Sequence, residues 1–331
     1  MKDFKDKIVF VTGGASGVGL GQAQVFTAAG AKVVIADMNR QRLNEAIKAG
    51  AADYAIKLDV TDRAATAAAA DEIEKVYGAC PDILCLTAGV NTFGPAEAST
   101  YDDFDWVMGV CFDAVVNGLI TFVPRMIKKG TGGYIAGTVS YGAFGPGPVT
   151  APYAAAKSAM LNLLESYYVA LKPYGIGVSA ICPANVKSHI YEAALNRPKE
   201  FSNTGYNVSE KTQSFLAGFH ESGIEPKELG EILLKGIEDE IFLVVPYKSG
   251  TRMVELEFDR FKYYTYKGGV EELAALKATA ERQEEALRLT SEREGFDVSK
   301  KSLMGNAAPP DNGGFGKARS DLDFIAPDKK A

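Results

Sequence analysis

The sequence predicts a doubly wound α/β fold: one parallel sheet of seven strands with helices on both faces, followed by a helical C-terminal extension. Three observations predict it. Apolar, β-branched runs of about five residues alternate with longer helical stretches, the rhythm of βαβ units. The strands are apolar throughout rather than alternating, as expected when helices bury both faces of a sheet. A glycine-rich turn directly follows the first strand.

Taken in order, residues 8–12 read as a strand and 20–29 as a helix. Residues 32–36 form a second strand that ends at Asp37, and 40–49 a helix. Strand 53–58, the Ala-rich helix 62–77 and strand 83–87 complete the first half. The second half repeats the alternation: helix 102–128, strand 133–140, helix 153–172, strand 177–182, helix 226–238 and strand 241–246. Residues 186–225 break the rhythm. They carry Tyr191, Phe201, Tyr206, Phe215 and Phe219 among polar residues, and an insertion this long late in such a fold reads as a substrate-covering lid. Residues 1–250 are thus one domain with a lid. Residues 251–295 are a helical extension in which Leu273, Leu276, Ala280 and Leu287 make a narrow apolar stripe. Residues 296–331, rich in Gly, Pro, Asp and Lys, read as a loosely held tail.

Composition excludes several classes. With 331 residues, 47% hydrophobic and 24% charged, the chain is too apolar for disorder and long enough to bury a full core. A net charge of −6 without a basic block argues against nucleic-acid binding. The uncharged runs 8–31 and 131–156 are broken by glycine, so neither predicts a membrane span. Four scattered cysteines and two histidines offer neither a disulfide framework nor a metal site. Reduced thiols and a mixed-charge N-terminus predict a cytoplasmic protein.

The first strand leads into Thr12-Gly13-Gly14-Ala15-Ser16-Gly17-Val18-Gly19. Backbone approaches a pyrophosphate closely only where side chains are missing. The helix that follows offers free N–H groups and its positive dipole end, so Thr12, Gly13, Ser16, Gly17, Val18 and Gly19 are candidate dinucleotide contacts. Asp37 ends the second strand. A carboxylate there accepts hydrogen bonds from the adenosine ribose hydroxyls and repels a 2′-phosphate, which predicts NAD over NADP. Arg40 nearby is a candidate to compensate that charge, and capping of helix 40–49 is the alternative role for Asp37.

Tyr153 and Lys157 stand four residues apart on a predicted helix, hence on one face. A phenol with pKa near 10 is a poor base at neutral pH. A neighbouring ammonium stabilises the phenolate and is expected to lower that value. Ser140, ending the preceding strand, is placed to donate to the same oxygen.

These residues resemble the short-chain dehydrogenase/reductase family over about residues 5–246. The match rests on Thr12–Gly19, Asp37, Asp59-Val60, Ala88-Gly89, Ser140, Tyr153-Ala154-Ala155-Ala156-Lys157, and Pro183 with Val186 and Ser188. The resemblance implies one Rossmann domain with its active site at the carboxyl ends of the strands. It implies Tyr153 as proton acceptor or donor, Ser140 as substrate-orienting hydroxyl, and Lys157 on the nicotinamide ribose. Asp59 and Val60 fall near the adenine, Ala88 and Gly89 beside the cofactor, and Pro183, Val186 and Ser188 around the carboxamide. It further implies a homodimer or homotetramer paired through helices 102–128 and 153–172.

Two positions depart from the family pattern. Thr87 replaces the asparagine of the Asn-Ala-Gly motif, which bears only on sheet stability. Cys111 replaces the helix asparagine that holds a water of the proton relay, so an impaired relay is expected. Residues 87–95, 101–106 and 183–190 are similar to the bacterial NAD-dependent Cα-dehydrogenases of lignin-type β-aryl ethers, which oxidise a benzylic secondary alcohol to a ketone. Phe93, Tyr141, Phe144, His189 and Tyr191 are then candidate substrate contacts. Another bulky secondary alcohol, of steroid or terpenoid type, would suit an aromatic lid equally. A non-catalytic NAD-binding scaffold or sensor is the alternative from another class.

Overall fold

The computed structural model describes residues 1–207 and 209–264. Its seven strands are β1 (Ile8–Thr12), β2 (Lys32–Asp37), β3 (Tyr54–Lys57), β4 (Ile83–Leu86), β5 (Gly133–Thr138), β6 (Ile176–Ile181) and β7 (Leu243–Val244). All neighbours pair in parallel, in the order β3-β2-β1-β4-β5-β6-β7. The direction of winding reverses between β1 and β4. Loops leaving a sheet at such a switch point diverge to opposite faces and leave a crevice at the carboxyl ends. Val11 pairs with both Ile35 and Cys85, so the turns after β1 and β4 emerge side by side.

Alternate residues of β1 serve two cores. Val9 and Val11 pack with Phe26, Leu43, Leu229 and Leu233, which come from helices α1 (Gly17–Ala28), α2 (Arg40–Lys48) and, beyond the lid, Pro226–Glu238. Ile8 and Phe10 face the other side, among Ile73, Phe122 and Leu164 from helices α3 (Arg63–Tyr77), Ala114–Lys129 and Ala151–Leu171. Local chemistry sets several ends. Asp62 caps α3 by accepting from Ala65 N, and Gly78 closes it in the left-handed conformation at φ 77°. Asn39 caps α2 through Arg42 N, so the cap of this helix is Asn39 rather than Asp37.

The predicted helix 102–128 is two helices, α4 (Tyr101–Met108) and α5 (Ala114–Lys129), joined through a π-turn at Gly109–Asp113. This stretch is long and apolar enough to cross a membrane by composition, yet 56% of its apolar window is buried in the fold, as in a core helix. Helix α6 (Ala151–Leu171) follows β5. The segment 186–225, expected to be a lid, contains a helix that the sequence reading lacks, α7 (Glu210–Glu221), after two short 3-10 turns. Its neck is pinned where Val186 bridges Ile224 and the Ile224 and Lys187 amides exchange bonds with Asn185 and Ile224 carbonyls. Helix α8 (Pro226–Glu238) and α9 (Gly250–Tyr264) complete the described chain. The part of the expected extension that carries its apolar stripe, and the expected tail, lie outside the described residues.

Candidate active site

The turn after β1 is built around two glycines. Gly13 has φ +66°, and a Cβ there would lie 2.8 Å from the Ala88 Cα on the neighbouring turn. At Gly19 a Cβ would fall 2.2 Å from the Gly13 carbonyl oxygen, so only glycine lets α1 begin against the turn. The N-cap Ser16 makes no side-chain cap bond, which leaves the first N–H groups of α1 open for an anion. Asp37 stands beside them, its carboxylate accepting from Asn39 N at 2.9 Å and Ala15 N at 3.4 Å.

A cavity of about 560 Å³ opens from this cradle. Gly13, Ser16, Gly17, Val18, Gly19, Asp37, Asp59, Val60, Ala88, Gly89, Tyr153, Lys157, Pro183, Val186, Ser188 and His189 all line it. An anion-ready helix end, a carboxylate beside it and a long adjoining cleft fit a dinucleotide.

At its far end, α6 presents Tyr153 and Lys157. Ser140 stands beside the Tyr153 phenol; its hydroxyl accepts from Gly142 N at 3.1 Å and lies 3.5 Å from the Pro183 carbonyl oxygen. Burial pushes that phenol well above its ordinary value, the buried Cys111 thiol adds to the rise, and only the Ser140 hydroxyl opposes it. Lys157 Nζ donates to Thr138 O at 2.7 Å and lies 5.5 Å from the Tyr153 ring centre. Burial in turn pushes Lys157 below the usual lysine range.

Thr12 does not face the cavity. Its hydroxyl accepts from Thr87 N and Ala88 N, at 2.9 and 3.2 Å, and ties the two turns together. Thr87 in turn donates to Gln22 Oε1 at 2.6 Å, with Thr138 Oγ1 at 2.9 Å, so the residue in place of the family asparagine knits β4, β5 and α1. Cys111 sits behind Gly89. Its sulfur accepts from Val90 N at 3.3 Å and its thiol donates to Val90 O at 3.1 Å.

The candidate substrate aromatics divide. His189 is on the cavity wall, its Nδ1 3.0 Å from Glu192 Oε1. Phe93 and Tyr191, the latter itself in the 186–225 segment, pack against His220, and neither lines the cavity. Tyr141 and Phe144 turn away from the cavity: the Tyr141 hydroxyl reaches Met253 O and Glu257 at 3.1 Å, and Phe144 O accepts from Arg260 at 2.8 Å. The Tyr141 hydroxyl thus holds α9, the Phe144 ring packs on Tyr141 and the core, and Phe215 is 73% exposed to solvent. Sequence reasoning missed Arg42, Trp106, Glu192 and His220, all on the cavity wall. The i, i+2 spacing from Arg40 and the lid position of His220 were the signals at hand.

This crevice and its Ser-Tyr-Lys group define an oxidoreductase acting on CH–OH groups with a nicotinamide cofactor. The sequence profile described as short chain dehydrogenase matches residues 7–198. The chain belongs to the short-chain dehydrogenase family, as its motifs imply. It is 47% identical over 262 residues to the C alpha-dehydrogenase of Sphingobium sp. (strain NBRC 103272 / SYK-6), covering 78% of this chain and 86% of that protein. Among solved structures it is similar to the apo form of LigD from Sphingobium sp. strain SYK-6, at 40% identity and TM-score 0.67 over 80% of this chain and 100% of that one. It is also similar to a short chain dehydrogenase/reductase from Burkholderia phymatum in complex with NAD, at 25% identity and TM-score 0.74 over 82% and 100%.

Proposed function

We propose that the protein oxidises a benzylic secondary alcohol to a ketone with NAD, the candidate substrate being a lignin-type β-aryl ether. One observation carries the chemistry: Tyr153 and Lys157 line the same cavity as the glycine cradle, with the Ser140 hydroxyl near enough to the phenol to pull its pKa down. A nicotinamide bound there would supply the acceptor for the hydride leaving the carbinol carbon. Tyr153 takes the hydroxyl proton as general base. Ser140 donates to the substrate oxygen and orients it. Lys157, fixed by the Thr138 carbonyl, is positioned for the nicotinamide ribose, and Gly13, Gly17 and Val18 for the pyrophosphate. Asp37 accepts the ribose hydroxyls, which favours NAD. Arg42, the nearby cation on the cavity wall, has its guanidinium 4.0 Å from Glu192.

The likeness to a C alpha-dehydrogenase favours the benzylic alcohol over the steroid or terpenoid reading. A cytoplasmic location fits four free, buried thiols. Pairing of copies through α4–α5 and α6 fits the exposed Ile120, at 64%, on α5; light scattering reads that assembly. The function is tested by following cofactor reduction with a β-aryl ether carbinol, with NAD and NADP side by side. Turnover with NAD that vanishes in Tyr153→Phe while NAD binding persists is expected. Absence of reduction with any aryl carbinol sinks the proposal, and faster turnover with NADP sinks the cofactor assignment.

A further inference from the structure

His220 is a buried lid residue that the reaction described above leaves unused. It comes from α7, is 9% exposed, and lines the catalytic cavity. Its Nδ1 lies 3.3 Å from the Val186 carbonyl oxygen across the neck of the lid. A carbonyl only accepts, so Nδ1 carries the proton. Burial pushes the imidazole below its ordinary pKa and keeps it neutral at physiological pH. Nε2 is then a lone-pair acceptor. It is buried and has no hydrogen-bond partner among the described residues.

The ring is held in place. Tyr191 stacks on it with centroids 5.8 Å apart and planes at 20°. Phe93 and Phe219 meet it edge-on at 6.4 and 5.4 Å. An acceptor fixed by aromatic neighbours on a cavity wall selects a donor carried on an apolar, ring-bearing ligand. A buried acceptor left unpaired costs free energy, so occupancy by a donor is favoured over occupancy by an ether or a hydrocarbon.

We propose that His220 Nε2 accepts a hydrogen bond from a second hydroxyl of the substrate, one that is not oxidised, and that this bond makes the enzyme selective for hydroxylated aryl carbinols. The assignment rests on the aryl-carbinol reading of the active site. It adds that the substrate carries two distinct hydroxyls, one read by Ser140 and Tyr153 and one read by the lid.

The test uses the full-length enzyme with NAD and three carbinols: a β-aryl ether bearing a free phenol and a free primary hydroxyl, its phenol methyl ether, and its primary methyl ether. In the wild type, methylation at one of the two positions should lower kcat/KM about tenfold, the value of one neutral hydrogen bond. In His220→Phe, which keeps a ring against Tyr191, the ratio of free to methylated substrate should fall to near one. His220→Gln, whose amide oxygen reaches toward the Nε2 position, should restore part of the ratio. A fold defect would lower all three substrates alike and leave the ratio standing, which overturns the proposal. So does a variant whose KM rises for NAD and not for the carbinol, since Nε2 would then serve the cofactor amide.

A second readout separates this idea from the reaction it builds on. Calorimetric binding of the corresponding hydroxylated and methylated ketones to the NADH-saturated enzyme needs no turnover. Equal affinities in the wild type sink the His220 assignment whatever the activity; failure to oxidise any carbinol, with the binding ratio intact, sinks only the proposed reaction.

Discussion

Arg197 Nη1 donates to Asp103 Oδ1 at 2.6 Å and so fastens the lid to the first turn of α4 across 94 positions of sequence. Both side chains are buried, Arg197 at 9% and Asp103 at 0%. Asp103 also accepts from Thr100 N at 2.9 Å, closing a capping box, and from Thr204 Oγ1 at 2.8 Å. The guanidinium lies 5.1 Å from the ring centre of Trp106, a cavity-wall residue. The lid is therefore clamped one side chain from the site. Arg197→Met strips a buried carboxylate of its partner, which costs about 3–5 kcal/mol. Calorimetry should show a lowered Tm, and kinetics a KM that rises for the alcohol more than for NAD. Equal rises would separate the clamp from substrate binding.

The same pair sets an acid limit. Burial pushes the Asp103 carboxyl up, but the bonds from Thr100, Arg197 and Thr204 together hold it below the usual carboxylate range. A depressed carboxyl contributes stability that is fully present above its unfolded value and is lost as pH falls through the folded one. Lid docking should therefore hold at neutrality and weaken only below about pH 4. Limited proteolysis of residues 190–210 against pH checks this, and cleavage that already accelerates near neutrality would count against it.

The pH dependence of turnover comes from Tyr153. Burial raises its phenol and the neighbouring Ser140 hydroxyl opposes that rise. Oxidation needs the phenolate, so kcat/KM for the alcohol should climb with pH through the neutral range. Reduction of the ketone needs the phenol and should fall. Ser140→Ala removes the opposing hydroxyl, so its alkaline limb should move to higher pH, with a loss of about 10²-fold at neutrality. An unmoved limb would take Ser140 out of phenol control.

Much of this was written in the local pattern. A parallel strand buried on both faces must be apolar throughout, so β1, β2 and β4 stand out within a residue or so of their bounds, and the glycine turn announces itself by position. Other features depend on contacts that no window contains. The π-turn at Gly109–Asp113 leaves helical composition unbroken, so one long helix was read where α4 and α5 stand. Arg40 and Arg42 differ by two residues, about 200° around α2, which puts Arg42 on the cavity wall and leaves Arg40 off it. Tyr141 and Phe144 follow Ser140 closely enough to read as substrate contacts, but α9, more than a hundred residues later, claims them. The clamp of Asp103 on Arg197 and the bond of His220 to Val186 are likewise tertiary facts.

Cys111 marks a departure from the family whose consequence the geometry makes specific. The thiol spends both of its hydrogen-bonding roles on the Val90 backbone. It is fully buried, and burial raises its pKa against the pull of Lys157. It therefore supports the strand-end loop that carries Gly89 rather than offering a polar group to a proton relay. Cys111→Ala should lower stability by about 1 kcal/mol, the worth of the lost bonds, while kcat stays within about threefold. Thiol reagents should leave the native enzyme active, because the reactive thiolate is disfavoured at every depth the reagent reaches. A Cys111→Ala enzyme with kcat reduced a hundredfold would restore the thiol to the proton path.

Cofactor choice is the contest between Asp37 and Arg42 at the adenosine end. The Asp37 carboxylate is fixed by two backbone amides and lines the cavity, so a 2′-phosphate there meets a held negative charge. Arg42 lines the same wall but lies 4.0 Å from Glu192, which offsets part of its charge. Asp37→Ala should lower kcat/KM for NAD and raise it for NADP, narrowing the preference by about tenfold, the value of one hydrogen bond to a charged group. Adding Glu192→Gln should raise NADP use further by freeing the guanidinium, and adding Arg42→Ala should abolish the gain. Steady-state kinetics with both cofactors at several salt concentrations reads each step, since a bare charge effect fades as salt rises. A preference that survives Asp37→Ala unchanged would move the discrimination away from this carboxylate altogether.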